Sequence, residues 1–292
     1  SNYNIVGPTG ALSGIIATFV LTQGVALLPA LAVMTGVIVF VAYALRLERY
    51  LVFIPSSVIH GFTIGVAFII SLNQLNGILG LQNVPAHTEF IRNVFESLSR
   101  IGSSSPAAVG LFALFLGALL AFKKYLPKIP GAILLAPVGI IIGYLSLHGS
   151  IPFTFLTLGQ KFPNMSFALW QPIQFHMSVI LVKTSLVVAL VAILETMLSA
   201  RIADSMTGTK HHERHEVLGL SVANVVAGLF GGMPATAALA RTALNVKTGA
   251  TYKSSGVVNA ITVAIISAFF LTSFQYIPMP VIGAILTFVA LG

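Results

Sequence analysis

The sequence predicts an all-α polytopic membrane protein, and three observations carry that reading. Of its 292 residues, 57% are hydrophobic and only 8% are charged, against about 25% charged in a soluble globular domain. The mean hydropathy is +0.97. Apolar segments follow one another with short polar breaks, and most reach or approach the ~20 residues that one crossing of the hydrocarbon core requires. This composition excludes a water-soluble core, a disordered chain, a coiled coil and a collagen-like fibre. The absence of cysteine removes disulfides, thiolate metal sites and cysteine nucleophiles.

Ten apolar segments are expected, near 8–23, 27–45, 57–74, 106–122, 131–148, 178–200, 217–231, 234–246, 255–272 and 280–292. Two are too short to be ordinary crossings, those opening at Pro8 and Pro234. Runs of that length suit re-entrant or broken helices. The stretch Glu89 to Arg100 has mixed charge and reads as a surface helix, and Trp170 is placed at the membrane interface. No basic stretch followed by a short apolar run marks a signal peptide. Both ends are abrupt, so the sequence reads as a segment of a longer chain.

Charge sets the expected orientation. Arg46, Arg49, Lys123, Lys124, Lys128, Arg201, Lys210, Arg214, Lys247 and Lys253 fall in alternate connections, and the intervening ones carry Arg92, Arg100 and Lys161, ten basic residues against three. The richer side is cytoplasmic by the positive-inside rule. Loops 75–105 and 149–177 then face outward. The net charge of +8 is explained by those loops, with no basic patch interleaved with aromatics to suggest nucleic acid.

A weak internal repeat points to the working site. Gly7-Pro8-Thr9-Gly10-Ala11-Leu12 resembles Met233-Pro234-Ala235-Thr236-Ala237-Ala238-Leu239. Each has a proline where a first helical turn is expected, followed by small residues. Gly/Pro-opened short segments at corresponding places in two halves are the sequence pointer to a transporter binding site. Two helix N-termini facing each other at mid-membrane leave unpaired N–H groups and partial positive charge, an anion site without a charged side chain. Pro8, Thr9, Gly10 and Ala11 form one tip in this reading, and Ala235, Thr236 and Ala237 the other. Thr9 and Thr236 add hydroxyl donors. Arg241, about 10 Å along the second helix from Pro234, either raises the positive potential behind the site or snorkels to water at the helix end.

Glu195 is the one acidic residue of seven inside an apolar segment. An ionised carboxylate there is unfavourable by a few kcal/mol, so it must be protonated, paired or facing water. Thr184, Val188, Ala192, Glu195 and Ser199 share one helix face by three- and four-residue spacing. That stripe is expected to face the bundle interior. The roles open to Glu195 are proton carrier, sodium ligand and partner of Arg241. Lys183 on the same helix is expected to snorkel. His211, His212 and His215 have ligand-like spacing but sit among Lys210 and Arg214, so a solvated loop is expected rather than a metal site. Asn164-Met165-Ser166 fits the glycosylation acceptor pattern. No paired carboxylates, phosphate loop with lysine or membrane-depth His cluster points to an enzyme.

The residues are similar to those of the SulP family of anion transporters, which includes sulfate permeases, bicarbonate transporters and prestin. The matching stretches are GPTGALS at 7–13, FIPSSVIHGFTIGVA at 53–67 and ETMLSARIADSMTGTKHHERHEVLGLSVANVVAGLFGGMPATAALARTALNVKTGA at 195–250. The resemblance implies two inverted repeats of seven helices, in which a substrate-carrying core domain moves against a gate domain. On that plan the sequence opens at the third helix and ends within the twelfth, giving ten segments. Residues 1–45 and 178–272 belong to the core, 46–177 and 273–292 to the gate, and the cytoplasmic STAS domain is absent. The resemblance implies an anion site between the helices opening at Pro8 and Pro234, with the family arginine at Arg241. In members that use a cation, the coupling carboxylate maps to Glu195, with Ser199 one turn on.

The expected function is therefore secondary active transport of an inorganic oxyanion, sulfate first and sodium-coupled bicarbonate second. Nucleobase permeases share the fold by resemblance but should show amide and acidic residues at the half-helix tips. A non-transporting anion-sensing membrane protein is the remaining class. No cofactor is expected beyond Na+ or H+ as coupling ion. The expected setting is the plasma membrane, as a homodimer in the full-length form.

Overall fold

The computed structural model describes residues 1–53, 56–85, 87–126, 131–163 and 173–291. Trp170, the Asn164–Ser166 acceptor pattern and Lys128 lie outside the described residues. Among the described residues the regular elements are helical apart from one pair of two-residue strands and an isolated bridge between Thr157 and Pro278. The elements are β1 (Val6–Gly7), α1 (Gly10–Gln23), α2 (Leu28–Ala44), α3 (Ser56–Leu72), α4 (Leu75–Ile78), α5 (Phe90–Ser99), α6 (Pro106–Tyr125) and α7 (Gly131–Leu147). They continue with α8 (Leu158–Lys161), α9 (Val179–Thr207), α10 (Glu213–Leu229), β2 (Thr236–Ala237), α11 (Leu239–Lys247), α12 (Ser254–Phe274) and α13 (Met279–Ala290). Each expected apolar segment corresponds to one helix. Residues 25–44 and the helices α6, α9 and α12 are long and apolar enough to cross a membrane. The expected surface helix is α5.

The chain divides into two compact units. One comprises Ser1–Ile64 and Ala168–Ala264, the other Gly65–Phe167 and Ile265–Gly292.

In the first unit, α2 lies between α9 and α10. Glycine makes the α2–α10 crossing close. A Cβ on Gly36 would stand 2.7 Å from the Val225 backbone nitrogen and 2.8 Å from the Ser221 carbonyl. Ser221 Oγ donates back to the Gly36 carbonyl at 2.9 Å. Gly228 faces the Pro29 carbonyl in the same way. Small residues are what let helix backbones approach in a membrane, where lipid is as apolar as leucine. Between α2 and α9, Val39 meets Ala189 and Ala192, with Met197, Val217 and Leu220 completing the cluster. Gly36→Leu is expected to destabilise the protein by at least ~1–3 kcal/mol, because backbone rather than a side-chain tip must move. Thermal unfolding of the full-length protein in detergent would read this, and an unchanged midpoint would contradict the crossing.

In the second unit, α13 packs on α6 and α4. Val281 and Ala284 join Ala108, Leu111, Phe115 and Phe155 in one cluster. Gly77 and Gly283 let α4 and α13 close on one another through Met279 and Ile78. Caps follow the sequence. Ser105 accepts from Ala108 N–H ahead of Pro106, and Ser178 accepts from Leu181 N–H.

Three expectations change. First, α9 runs to Thr207 rather than residue 200, since nothing breaks it before Gly208 turns left-handed at φ 70°. The connection to α10 shrinks to 208–212, and Arg201 and Arg214 sit on helix ends. Second, the segment at Pro234 is not helical from its start: Thr236 and Ala237 are extended because they pair with Gly7 and Val6, and α11 begins at Leu239. Pro8 likewise precedes a helix that starts at Gly10, with Thr9 as the capping position. Third, His211 is not in a solvated loop. Its backbone N–H donates to Asp204 Oδ2 at 2.9 Å and its Nδ1 lies 2.7 Å from the same oxygen, with its side chain 6% exposed. Among the described residues no three His, Cys, Asp or Glu side chains gather to hold a metal ion.

Candidate functional site

The site is built on the β1–β2 pair in the first unit. The strands are antiparallel, with Val6 opposite Ala237 and Gly7 opposite Thr236. Ala238 N–H extends the pairing by donating to the Ile5 carbonyl at 3.1 Å. Antiparallel strands lead into α1 and α11 in opposite senses, with one helix N-terminus opening from each end of the pair. Neither terminus has a side-chain cap. The first backbone bonds are Leu12 N–H to Thr9 carbonyl and Thr242 N–H to Ala238 carbonyl. The earlier N–H groups of each helix therefore carry the partial positive charge of the terminus outward.

Arg241 is in the first turn of α11, nearer the terminus than a helix starting at Pro234 would put it. Its guanidinium crosses to the other half and donates to the Pro8 carbonyl. It occupies the space beside Gly7, where a Cβ would stand 2.7 Å from Nη1. A side chain at position 7 would push the guanidinium away.

The α9 stripe faces inward from Val188 onward, with Thr184 at its start only half-buried. Val188, Ala192 and Ser199 are fully buried and Glu195 nearly so. Thr9 Oγ1 donates to Glu195 Oε2 at 2.9 Å, linking the carboxylate to the capping position of α1. Ser199 Oγ does not turn to the carboxylate. It donates to Thr242 Oγ1 at 2.7 Å, and Ile5 N–H donates to the same oxygen at 3.2 Å. Thr236 also faces α9, donating to the Ala192 carbonyl and lying 3.0 Å from Thr196 Oγ1. Ala237 N–H donates to Thr196 Oγ1 at 3.2 Å. Ala235 is held by Asn224 of α10, whose amide takes both its N–H and its carbonyl at 2.9 Å.

The expected site residues thus separate. Thr9, Glu195 and Arg241 converge on the opening of α1, with Pro8, Gly10 and Ala11. Ala235, Thr236 and Ala237 form the strand that positions α11, their polar groups engaged by α9 and α10. Sequence reasoning missed Thr196, Asn224 and Thr242, which fix β2 and α11. The signal was available for Asn224, an amide within the apolar run of α10, buried to 0% exposure. A cavity of about 680 Å³ lies beside the strand pair, walled by Gly7, Pro8, Leu28, Ala227, Met233 and Ala235 among others. Its lining is mainly apolar.

The sequence pattern of the sulfate permease family matches residues 1–292. A putative sulfate transporter, YvdB, from Bacillus subtilis strain 168 is 35% identical over 293 residues, covering 99% of this chain and 55% of the relative. The bicarbonate transporter BicA of Picosynechococcus is 28% identical over 295 residues, covering 95% and 50%. The chain spans about half the length of these relatives. Among solved structures, the transmembrane domain of a cyanobacterial BicA superposes with a TM-score of 0.83 at 22% identity, covering 99% of this chain and 75% of that one.

Proposed function

Because the chain belongs to the sulfate permease family, we propose that the full-length protein is a secondary active transporter of an inorganic oxyanion, with sulfate as its substrate. The observation that carries this reading is the pair of uncapped helix N-termini opening from β1 and β2, with Arg241 reaching from one to the other. Such a site offers N–H dipoles and one cation to an oxyanion and needs no other charged side chain. Pro8, Thr9, Gly10, Ala11 and Arg241 face the anion in this reading. Ala235, Thr236 and Ala237 hold the second terminus in place. Residues 1–45 and 178–272 act as the carrying core, and 46–177 and 273–292 as the gate. Glu195 carries the coupling charge.

Bicarbonate with sodium is the second reading, favoured by the Glu195 carboxylate beside the Thr9 hydroxyl. Uptake of labelled sulfate, bicarbonate and uracil by the full-length protein in liposomes tests both. Sulfate uptake with a cation-gradient dependence is expected. Bicarbonate uptake alone selects the second reading, and uptake of uracil or of none of the three overturns the proposal.

Gly10→Leu is expected to abolish anion binding while the protein still inserts and folds, because bulk at the first helical residue keeps the ligand from the N–H groups. Unchanged sulfate affinity in that variant would place the site elsewhere. A bulky residue at Ala237 is a poorer test, since that side chain is fully buried. The orientation proposed from charge, with 201–216 and 123–130 cytoplasmic and 149–177 outside, is testable with single cysteines in this cysteine-free sequence. A cysteine at Lys161 should react with an impermeant maleimide added outside, and labelling only from the inside would reverse the topology.

A further inference from the structure

Helix α5 carries an apolar stripe on its open side. Ile91 is 78% exposed, Phe95 74% and Leu98 47%, and Ile101 just beyond the helix is 56% exposed. The spacing of four and three residues puts the three helical side chains on one face. The opposite edge carries Arg92, Glu96 and Arg100, with Arg100 Nη2 2.7 Å from Glu96 Oε1.

The helix is fixed in place rather than hanging from a loop. On its inner side, Ser97 is buried and its Oγ donates to Asn76 Oδ1 of α4 at 2.7 Å. Asn93 closes the preceding turn by bonding His87 through both its amide atoms at 2.7 Å. The next attachment is to α6. Ser105 N–H donates to the Leu79 carbonyl at 2.9 Å, and Gly80 meets Ala108 so closely that a Cβ on it would stand 2.7 Å from the alanine Cβ. Thus α5 is tied through α4 to the first turn of α6.

That first turn marks a depth. α6 has 20 residues, so about 30 Å of length, the thickness of the hydrocarbon core. By that length its N-terminal end at Ser105 and Pro106 falls at a bilayer surface, and α6 presents exposed apolar side chains such as Val109 and Leu114. The α5 stripe is thus tethered, through α4, to the end of α6 that this length places at the headgroups.

We propose that α5 is an interfacial anchor, lying in the headgroup–acyl boundary of one leaflet with Ile91, Phe95, Leu98 and Ile101 inserted among lipid chains. The chemistry is that of an amphipathic helix with apolar residues on one side and charges on the other. Glu89 and Glu96 balance Arg92 and Arg100, so apolar burial drives the contact and a zwitterionic bilayer suffices. A second copy of the chain fits less well. Four side chains fall short of the ~800 Å² per partner that a specific protein interface buries. The anchor is independent of which anion is carried.

The test uses the full-length protein in phosphatidylcholine liposomes, with a polarity-sensitive fluorophore on single cysteines at Ile91, Phe95, Leu98, Arg92 and Arg100. Only variants eluting as the parent in size exclusion are compared. Brominated phosphatidylcholine should quench the first three probes severalfold more than the two at the arginines, and aqueous iodide should do the reverse. Replacing part of the lipid with phosphatidylglycerol should leave the pattern unchanged. Iodide quenching at Phe95 equal to that at Arg92 would overturn the anchor. So would shielding of the Phe95 probe from both quenchers, or disulfide cross-linking of two chains through a cysteine at 95, which would assign the stripe to a second copy.

Discussion

Asn224→Leu is expected to destabilise the full-length protein by roughly 2–6 kcal/mol, the sum for two buried backbone groups left without partners at ~1–3 kcal/mol each. Asn224 is fully buried, and its amide takes the N–H and the carbonyl of Ala235 while also donating to the Leu220 carbonyl at 3.0 Å. Leucine fills a similar volume and satisfies neither group of Ala235. Without that bracket the strand before α11 loses its attachment to α10 and keeps those to β1 and α9. Anion transport should fall with stability, because β2 aims the N-terminus of α11. Ser221→Ala on the same helix is the comparison. It removes one bond, from Ser221 Oγ to the Gly36 carbonyl, and should cost about 1 kcal/mol. Thermal unfolding and sulfate uptake on both purified variants check this. If Asn224→Leu behaves like Ser221→Ala, the strand does not depend on its bracket.

The contrast between what was legible in the sequence and what was not follows from the range of the interactions. Helices form from local hydrogen bonds, and lipid demands that each crossing satisfy its own backbone. Apolar run length therefore located α2, α6, α7 and α12 to within a few residues. The buried stripe Val188, Ala192, Glu195 and Ser199 was legible for the same reason, as a local periodicity. The opening of α11 was not. Pro234 looks like a first helical residue, but its downstream neighbours pair with a strand more than 200 positions away, and no local signal encodes that partner. Moving the helix start to Leu239 brings Arg241 into the first turn, where it meets the Pro8 carbonyl instead of standing two turns behind the terminus. His211 failed similarly. Its neighbours Lys210 and Arg214 suggest solvent, whereas Asp204, which takes its backbone and ring nitrogens, lies on the preceding helix. Ser199 shows the same limit at a single atom: periodicity put it one turn from Glu195, but its hydroxyl is engaged by Thr242.

Glu195→Gln is expected to uncouple transport without unfolding the protein. Two roles for the carboxylate make opposite forecasts. If it were the partner of a buried arginine, removing its charge would strand that cation and cost about 3–5 kcal/mol. The contact Glu195 makes is with Thr9 Oγ1 at 2.9 Å, and glutamine retains an oxygen able to accept it. The guanidinium of Arg241 is engaged by the Pro8 carbonyl, so it keeps a partner when the carboxylate is gone. Stability should therefore change by no more than about 1 kcal/mol, the scale of one altered hydrogen bond. Anion binding should persist, because in the proposed site the helix N-termini supply that attraction independently. What glutamine cannot do is take up a proton or neutralise a cation, so the dependence of uptake on a sodium or proton gradient should disappear. Cation dependence, sulfate affinity and melting temperature measured on one preparation separate the roles. A collapse of several kcal/mol would make the residue structural. Normal stability with coupling intact would leave the charge of Glu195 with no part in moving the ion.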